Sequence, residues 1–343
     1  MLFSTISRTL KFKKPALTSR NAFSEREITY VVAEKKGISG VGECAPLAML
    51  SVDDVPNYNE ILNQTIALLN DGAAYEELDL KLFPSVQFGL ETALNDLNNG
   101  GRHQPFMTSF YKNTPIKING LVWMAAIDEM MTEARLKIEQ GFRCIKFKVG
   151  QHDFDQECKM LEVLRKEYSA FSLEIRLDAN GAFHPKEAAE QLRDLARFEI
   201  HSIEQPITRG QTDAMAKLCA ESKLAIALDE ELIGLDSGLQ AKKMLEAIKP
   251  KYIILKPNLL GGFTKCDQWV KHAEKMGIAW WATSALESNI GLNAIAAWVS
   301  QYSNELPQGL GTGSLFTNNI NSPLTVNGQL LQYDQNKSWS SVV

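Results

Sequence analysis

The sequence predicts an α/β protein: a (β/α) barrel preceded by an α+β domain. Three observations lead there. From about residue 115, short apolar strand-like runs alternate with stretches of helical periodicity, which argues for parallel pairing. Eight such strands fall within about 200 residues, near the spacing typical of a closed barrel, with a doubly wound open sheet as the runner-up. The first hundred residues lack this alternation and read as an antiparallel sheet followed by helices.

The elements follow in order. "LKFKKPAL" and "REITYVVAEKKGISGVGECAPL" read as strands, and "DDVPNYNEILNQTIALLNDG" and "PSVQFGLETALNDLNNG" as helices. The turn-rich "NNGGRHQP" over 98–105 marks a boundary. The barrel strands are "IKINGLV", "CIKFKVG", "LEIRLDAN", "HSIEQP", "LAIALDE", "YIILKPN", "IAWWATS" and "QGLGTG". Helices such as "AAIDEMMTEARLKIEQG", "QECKMLEVLRKEY", "PKEAAEQLRDLARF" and "TDAMAKLCAES" separate them. After about Asn318 the chain returns to turns and short strands. The expected domains are therefore 1–104, 113–317 and a tail, 318–343, that packs back on the first.

Composition excludes several classes. The 343 residues are 45% hydrophobic and 22% charged with net charge −5, and there is no basic stripe to bind nucleic acid. No run approaches the roughly 18 apolar residues of a membrane span. Five scattered cysteines form no CxxC pair and read as free thiols of a reducing, cytoplasmic setting. Five histidines show no zinc spacing. Basic residues precede the first acid, Glu25, as in a transit peptide, but Pro15 and the alternation of "SRTLKFKKPAL" favour a strand. Oligomeric state is not readable.

The chemistry lies on one face of the strands. Residues two apart share a face. Leu173, Ile175 and Leu177 therefore oppose Glu174, Arg176 and Asp178, and Leu224, Ile226 and Leu228 oppose Asp229. Asp178, Glu204 and Asp229 are 26 and 25 residues apart, about one βα unit each, at strand ends where barrels place catalytic groups. Three converging carboxylates need a cation. Oxygen ligands without Cys or His point to Mg²⁺, with Mn²⁺ as a substitute. Lys146 and Lys148, on one face of "CIKFKVG", precede the acids, and Lys256 of "YIILKPN" follows them. The acids compensate the buried ammonium groups, and a metal with its neighbours would depress a lysine pKa toward that of a general base.

The ordered set Lys146 and Lys148 (KxK), Asp178 (LDAN), Glu204 (IEQP), Asp229 (LDE) and Lys256 (KPN) resembles the enolase superfamily, muconate-lactonising subgroup. "GVGECAPL" (40–47) and "PSVQFGLETALNDL" (84–97) are similar to that family's capping domain. The resemblance implies an enolase-like modified barrel with an N-terminal capping domain. It implies a small carboxylate substrate and Mg²⁺ held by Asp178, Glu204 and Asp229, with Lys148 and Lys256 catalytic. Lys146, Arg176, Asn180, Thr283, Ser284, Gly311 and Arg20 would contact substrate, and the polar segment 16–25 would close over the site as a mobile loop. Epimerases of the subgroup carry an Asp-x-Asp pair near the seventh strand; "TSALESNIGL" (283–292) has Thr283, Ser284 and Ala285 there, which suits a substrate offering carboxylates. The implied activity is a lyase reaction of menaquinone biosynthesis, elimination of water from a cyclohexadiene carboxylate to give an aromatic succinylbenzoate. Racemisation of N-acylamino acids or dipeptides, a Schiff-base aldolase using Lys256, and a barrel that only binds ligand stay open. "GLGTG" lacks the spacing of a dinucleotide site.

Overall fold

A computed structural model describes residues 1–17 and 22–342. The chain begins with an antiparallel sheet, β1 (Leu2–Leu17), β2 (Ala22–Lys35) and β3 (Ile38–Cys44), in that order. Strand alternation puts Val31 and Ala33 on one face, with α1 (Tyr58–Asn70) and α2 (Pro84–Asn98). Ile28, Tyr30 and Val32 take the other, where Leu286, Ile290 and Phe316 from the far end of the chain cover them. Strand β3 meets α2 backbone to backbone. A Cβ on Gly42 would stand 1.8 Å from the Gly89 carbonyl oxygen, so glycine is required there.

The segment expected as a loop over 16–25 has strand at both of its ends. Strand β1 runs to Leu17 and β2 starts at Ala22; the intervening residues, Arg20 among them, lie outside the described residues. Pro15 is tolerated within β1 because this is an edge strand whose pairing with β2 shifts register between Lys11 and Ala16.

The barrel follows. "IKINGLV" splits into β4 (Ile116–Lys117) and β5 (Gly120–Val122). Then come α3 (Ile127–Glu139), β6 (Cys144–Lys148), α4 (Phe154–Glu167), β7 (Glu174–Asp178), α5 (Ala188–Leu195), β8 (Ser202–Glu204), α6 (Thr212–Glu221) and β9 (Ile226–Leu228). The rest is α7 (Leu239–Ile248), β10 (Tyr252–Leu255), α8 (Pro257–Leu260), α9 (Phe263–Lys275), β11 (Ala279–Ala282) and α10 (Asn289–Val299). Strands β5 to β11 form one parallel sheet in chain order. Ile145, Phe147, Ile175, Leu177, Ile203 and Leu228 join the helices in a continuous core.

Seven strands pair, not eight. "QGLGTG" contributes only isolated parallel bridges, Gln308 to Ile118 and Gly309 to Thr283, which tie the first strand's edge to the last. Pro307 has no N–H to donate and Gly309 is crowded by Thr283, so regular pairing stops after two residues. The hairpin β12 (Leu324–Asn327) and β13 (Leu330–Tyr333) pairs antiparallel with β4 at the barrel entry, while Asn318 hydrogen-bonds Thr9 and Lys11 of β1. Among the described residues no helix is long and apolar enough to cross a membrane, and all five cysteines are free.

Two acids of the first domain cap two barrel helices. Glu91 of α2 accepts from the backbone N–H groups of Phe263 (2.6 Å) and Thr264 (3.0 Å) at the start of α9. Glu43 of β3 accepts from Ser288 N (2.9 Å), Ser288 Oγ (2.5 Å) and Gly291 N (3.0 Å) at the start of α10. Orphan N–H groups and the helix dipole both favour an anion there. Burial nevertheless pushes the Glu43 carboxyl up to about 7; the nearby Glu287 adds to this, and Ser288 and Arg26 oppose it. A carboxyl with a folded pKa above its unfolded value contributes stability at low pH that is lost as pH rises through the folded pKa. Between about pH 4.5 and 7 the protein should thus lose stability relative to Glu43→Gln, on the order of 2 kcal/mol. Urea unfolding of both proteins at pH 5 and pH 8 checks this; a difference that does not change with pH would count against it.

Candidate active site

The β6–β10 strand ends bring the charged residues together. Register sets Lys148 of β6 beside Asp178 of β7, and Asp178 beside Glu204 of β8. Asp229 follows β9 and Lys256 follows β10. These five side chains and that of Lys146, two residues before Lys148 on the same face, are all buried. The Lys146 ammonium donates to Asp178 Oδ2 (2.7 Å) and Glu204 Oε2 (2.6 Å). The Lys148 ammonium donates to the same Asp178 oxygen (2.6 Å) and to Asn180 Oδ1 (2.7 Å). Lys256 donates to Asp229 Oδ2 and stands 3.9 Å from Glu204 Oε1. Three ammonium groups thus face three carboxylates, the compensation that burial of such charges demands.

Burial opposes the charge on Lys146 and Lys256, yet the adjoining acids outweigh it and raise both pKa values. At these two lysines the carboxylates dominate over like-charge repulsion. Burial also works against ionisation of Asp178, but Lys146 and Lys148 hold it well below the usual carboxylate range. Glu204 is pulled the other way, above its ordinary value, by burial and then by Asp178.

The acids match a hard cation in kind. Glu204 Oε1 is buried without a hydrogen-bond partner, and lysine ammonium groups serve as the counter-cations of the row. Among the described residues no three Asp, Glu, His or Cys side chains form a ready-made metal shell. Asp178 and Glu204 meet around the Lys146 nitrogen instead.

Above the row opens a cavity of about 990 Å³, lined by Lys146, Lys148, Asn180, Lys256, Thr283, Ser284 and Gly311. Lys14, Ala16 and Phe23 of the first domain, with Met49 and Leu50, form its outer wall. Arg176, expected to contact substrate, lies one inward position deeper in β7, stacked on Trp281 at 4.2 Å and bonded to Glu174 (2.7 Å) and the Pro307 carbonyl (2.8 Å), and does not line the cavity. Arg20 lies outside the described residues. The Ser284 hydroxyl is already committed, donating to Glu287 (2.5 Å) and accepting from Thr312 (2.8 Å).

Glu230 had no assigned role. Strict alternation would turn it away from Asp229, but β9 ends at Leu228, and a single 3₁₀ turn over Glu230–Leu232 brings it to the cavity. It accepts from Asn180 Nδ2 (2.9 Å). The run of three acids in "LDEE" (228–231) was the available signal.

Comparison with known proteins agrees with this architecture. Residues 129–333 match the family described as enolase C-terminal domain-like, and residues 9–97 the MenC N-terminal domain. The chain is 42% identical to the o-succinylbenzoate synthase of Desulfotalea psychrophila, covering 94% of this chain and 96% of that protein. The crystal structure of MenC from the same organism superposes with a TM-score of 0.87 at 40% identity, covering 97% and 99% of the two chains. The L-Ala-D/L-Glu epimerase of Bacillus subtilis is 25% identical over 85% of this chain and 82% of that protein. By these matches, the chain belongs to the enolase superfamily and carries a MenC-type N-terminal domain.

Proposed function

We propose that the protein is a cytoplasmic o-succinylbenzoate synthase, a carbon–oxygen lyase of menaquinone biosynthesis. It would convert 2-succinyl-6-hydroxy-2,4-cyclohexadiene-1-carboxylate to 2-succinylbenzoate by syn elimination of water. The observation that carries this reading is the 42% identity along nearly the full length of both chains. Charge supports it. The three-to-three balance of lysines and acids would take up a divalent cation together with a dicarboxylate substrate and stay balanced.

Asp178, Glu204 and Asp229 would hold Mg²⁺, or Mn²⁺ in its place. The ion, when bound, polarises the substrate carboxylate and offsets the negative charge that grows when its α-carbon loses a proton. Lys148, as the neutral amine, takes that proton. The same lysine returns it to the departing hydroxyl, so the C–H and C–O bonds break, a C=C bond forms and water leaves without net oxidation. Lys256, which like Lys148 lines the cavity, supplies positive charge to the anionic intermediate. Lysines at both positions would equally serve a racemase, which needs a base on each side of the substrate carbon; this is the second reading, and the epimerase relative belongs with it.

Two outcomes are expected. In metal-free buffer Lys146→Met leaves Asp178 and Glu204 without their shared counter-ion and costs about 3 kcal/mol of stability. Millimolar Mg²⁺ should recover most of it, because the added cation meets the same acids. Urea unfolding with EDTA and with Mg²⁺ measures both, and equal losses in the two buffers would contradict the metal assignment. Separately, Lys256→Arg keeps charge but is a poor base, and should retain more dehydration activity than Lys148→Arg. Turnover of the cyclohexadiene substrate with and without Mg²⁺, alongside racemisation of an N-acylamino acid, decides between the readings. Equal collapse of both Arg variants would favour two bases.

A further inference from the structure

We propose that Asn180 and Glu230 form a positioning pair for Lys148, a role that rests on the reading of Lys148 as the proton-transferring residue. As an ammonium Lys148 carries three N–H donors; as the neutral amine that takes a proton it keeps two of them and a lone pair. Two N–H groups go to Asp178 Oδ2 (2.6 Å) and Asn180 Oδ1 (2.7 Å), which leaves the third position, lone pair or N–H, for a group in the cavity. Both partners are therefore needed to aim the nitrogen. With Asp178 alone, the ammonium could turn about a single bond toward an oxygen it already shares with Lys146.

The amide of Asn180 is oriented by chemistry alone. An ammonium only donates and a carboxylate only accepts, so the amide oxygen must face Lys148 and the amide nitrogen must face Glu230 Oε1, 2.9 Å away. Reversal would set N–H against N–H and oxygen against oxygen. The backbone is fixed as well. Asn180 has φ of +46°, in the left-handed region that Asn tolerates better than most residues, and its own N–H bonds Asp178 Oδ1 (3.1 Å). Glu230 is buried, and its charge also acts on Lys256. One carboxylate is thus coupled to Lys148, which ends β6, and to Lys256, which follows β10. Asn180, expected to contact substrate, is assigned instead to the lysine.

The test uses the Mg²⁺-loaded enzyme and the variants Asn180→Ala, Glu230→Ala and Glu230→Gln. A displaced base should lower kcat on the order of 10²-fold in both Ala variants with KM nearly unchanged. The α-deuterium isotope effect should rise as proton removal becomes limiting. Glu230→Gln should recover most of the rate, because its amide oxygen still accepts from Asn180. A rise in KM would make Asn180 a substrate contact, and a rise in the Mg²⁺ concentration for half-saturation would make it a support of the metal; either result overturns the proposal, as does an unchanged kcat. Crystal structures of the wild type and of the two Ala variants give a second readout that needs no substrate. The Lys148 nitrogen should move by about 1 Å or more in both Ala variants, and an unmoved nitrogen overturns the pairing. If the wild type fails to dehydrate the cyclohexadiene substrate while the nitrogen still moves, the substrate assignment falls and the positioning pair stands.

Discussion

A row of buried acids held by buried ammonium groups governs this fold's functional end. An unpaired ion in a protein interior costs several kcal/mol even after relaxation. Neither the lysines of β6 nor the acids of β7 to β9 could therefore occupy the barrel interior alone. Lys146, bonded to Asp178 and Glu204 together, is the centre of that arrangement. It fixes adjacent strands in the one register that pairs the charges, because a one-residue slip would turn every ion toward the apolar helix side. The apolar half of each strand enforces the same register from outside, where Ile175, Leu177 and Ile203 are fully buried.

The first domain completes the site rather than merely adjoining it. Its sheet is apolar on both faces, one for its own helices and one for the barrel rim. Glu43 and Glu91 reach across to the starts of α10 and α9, so capping-domain carboxylates satisfy barrel-helix N–H groups. Arg26 and Asn258 both donate to the Ala45 carbonyl, at 2.7 and 2.6 Å, and add a third tie. The cavity wall formed by Lys14, Phe23, Met49 and Leu50 is held over the lysines by these contacts. Selectivity for substrate shape can then vary in the first domain while the acid row stays constant, a division natural to barrels whose loops carry specificity.

Much of this was readable from residue order, since strand alternation and βα spacing are local properties. The period of two separated Asp178 from Ile175 and Leu177, and the regular interval between acids put them on successive strands. The antiparallel start and the parallel barrel are both written in local pattern, whereas the need for glycine where β3 meets α2 is visible only in the packing. Local pattern failed where the chain leaves regular structure. "QGLGTG" looked like a strand, yet it bridges the sheet edges for only two residues, since Pro307 and the crowding of Gly309 against Thr283 are tertiary facts. Alternation assigned Arg176 to the inner face correctly but could not give its depth, which Trp281 and Pro307 set. The same rule hid Glu230, because a 3₁₀ turn breaks the period of two immediately after Asp229. Residue order thus supplied the chemistry and its spacing. Depth, closure and the partners of each lysine came only with the packed barrel, because they depend on which distant strands and turns stand opposite one another in space.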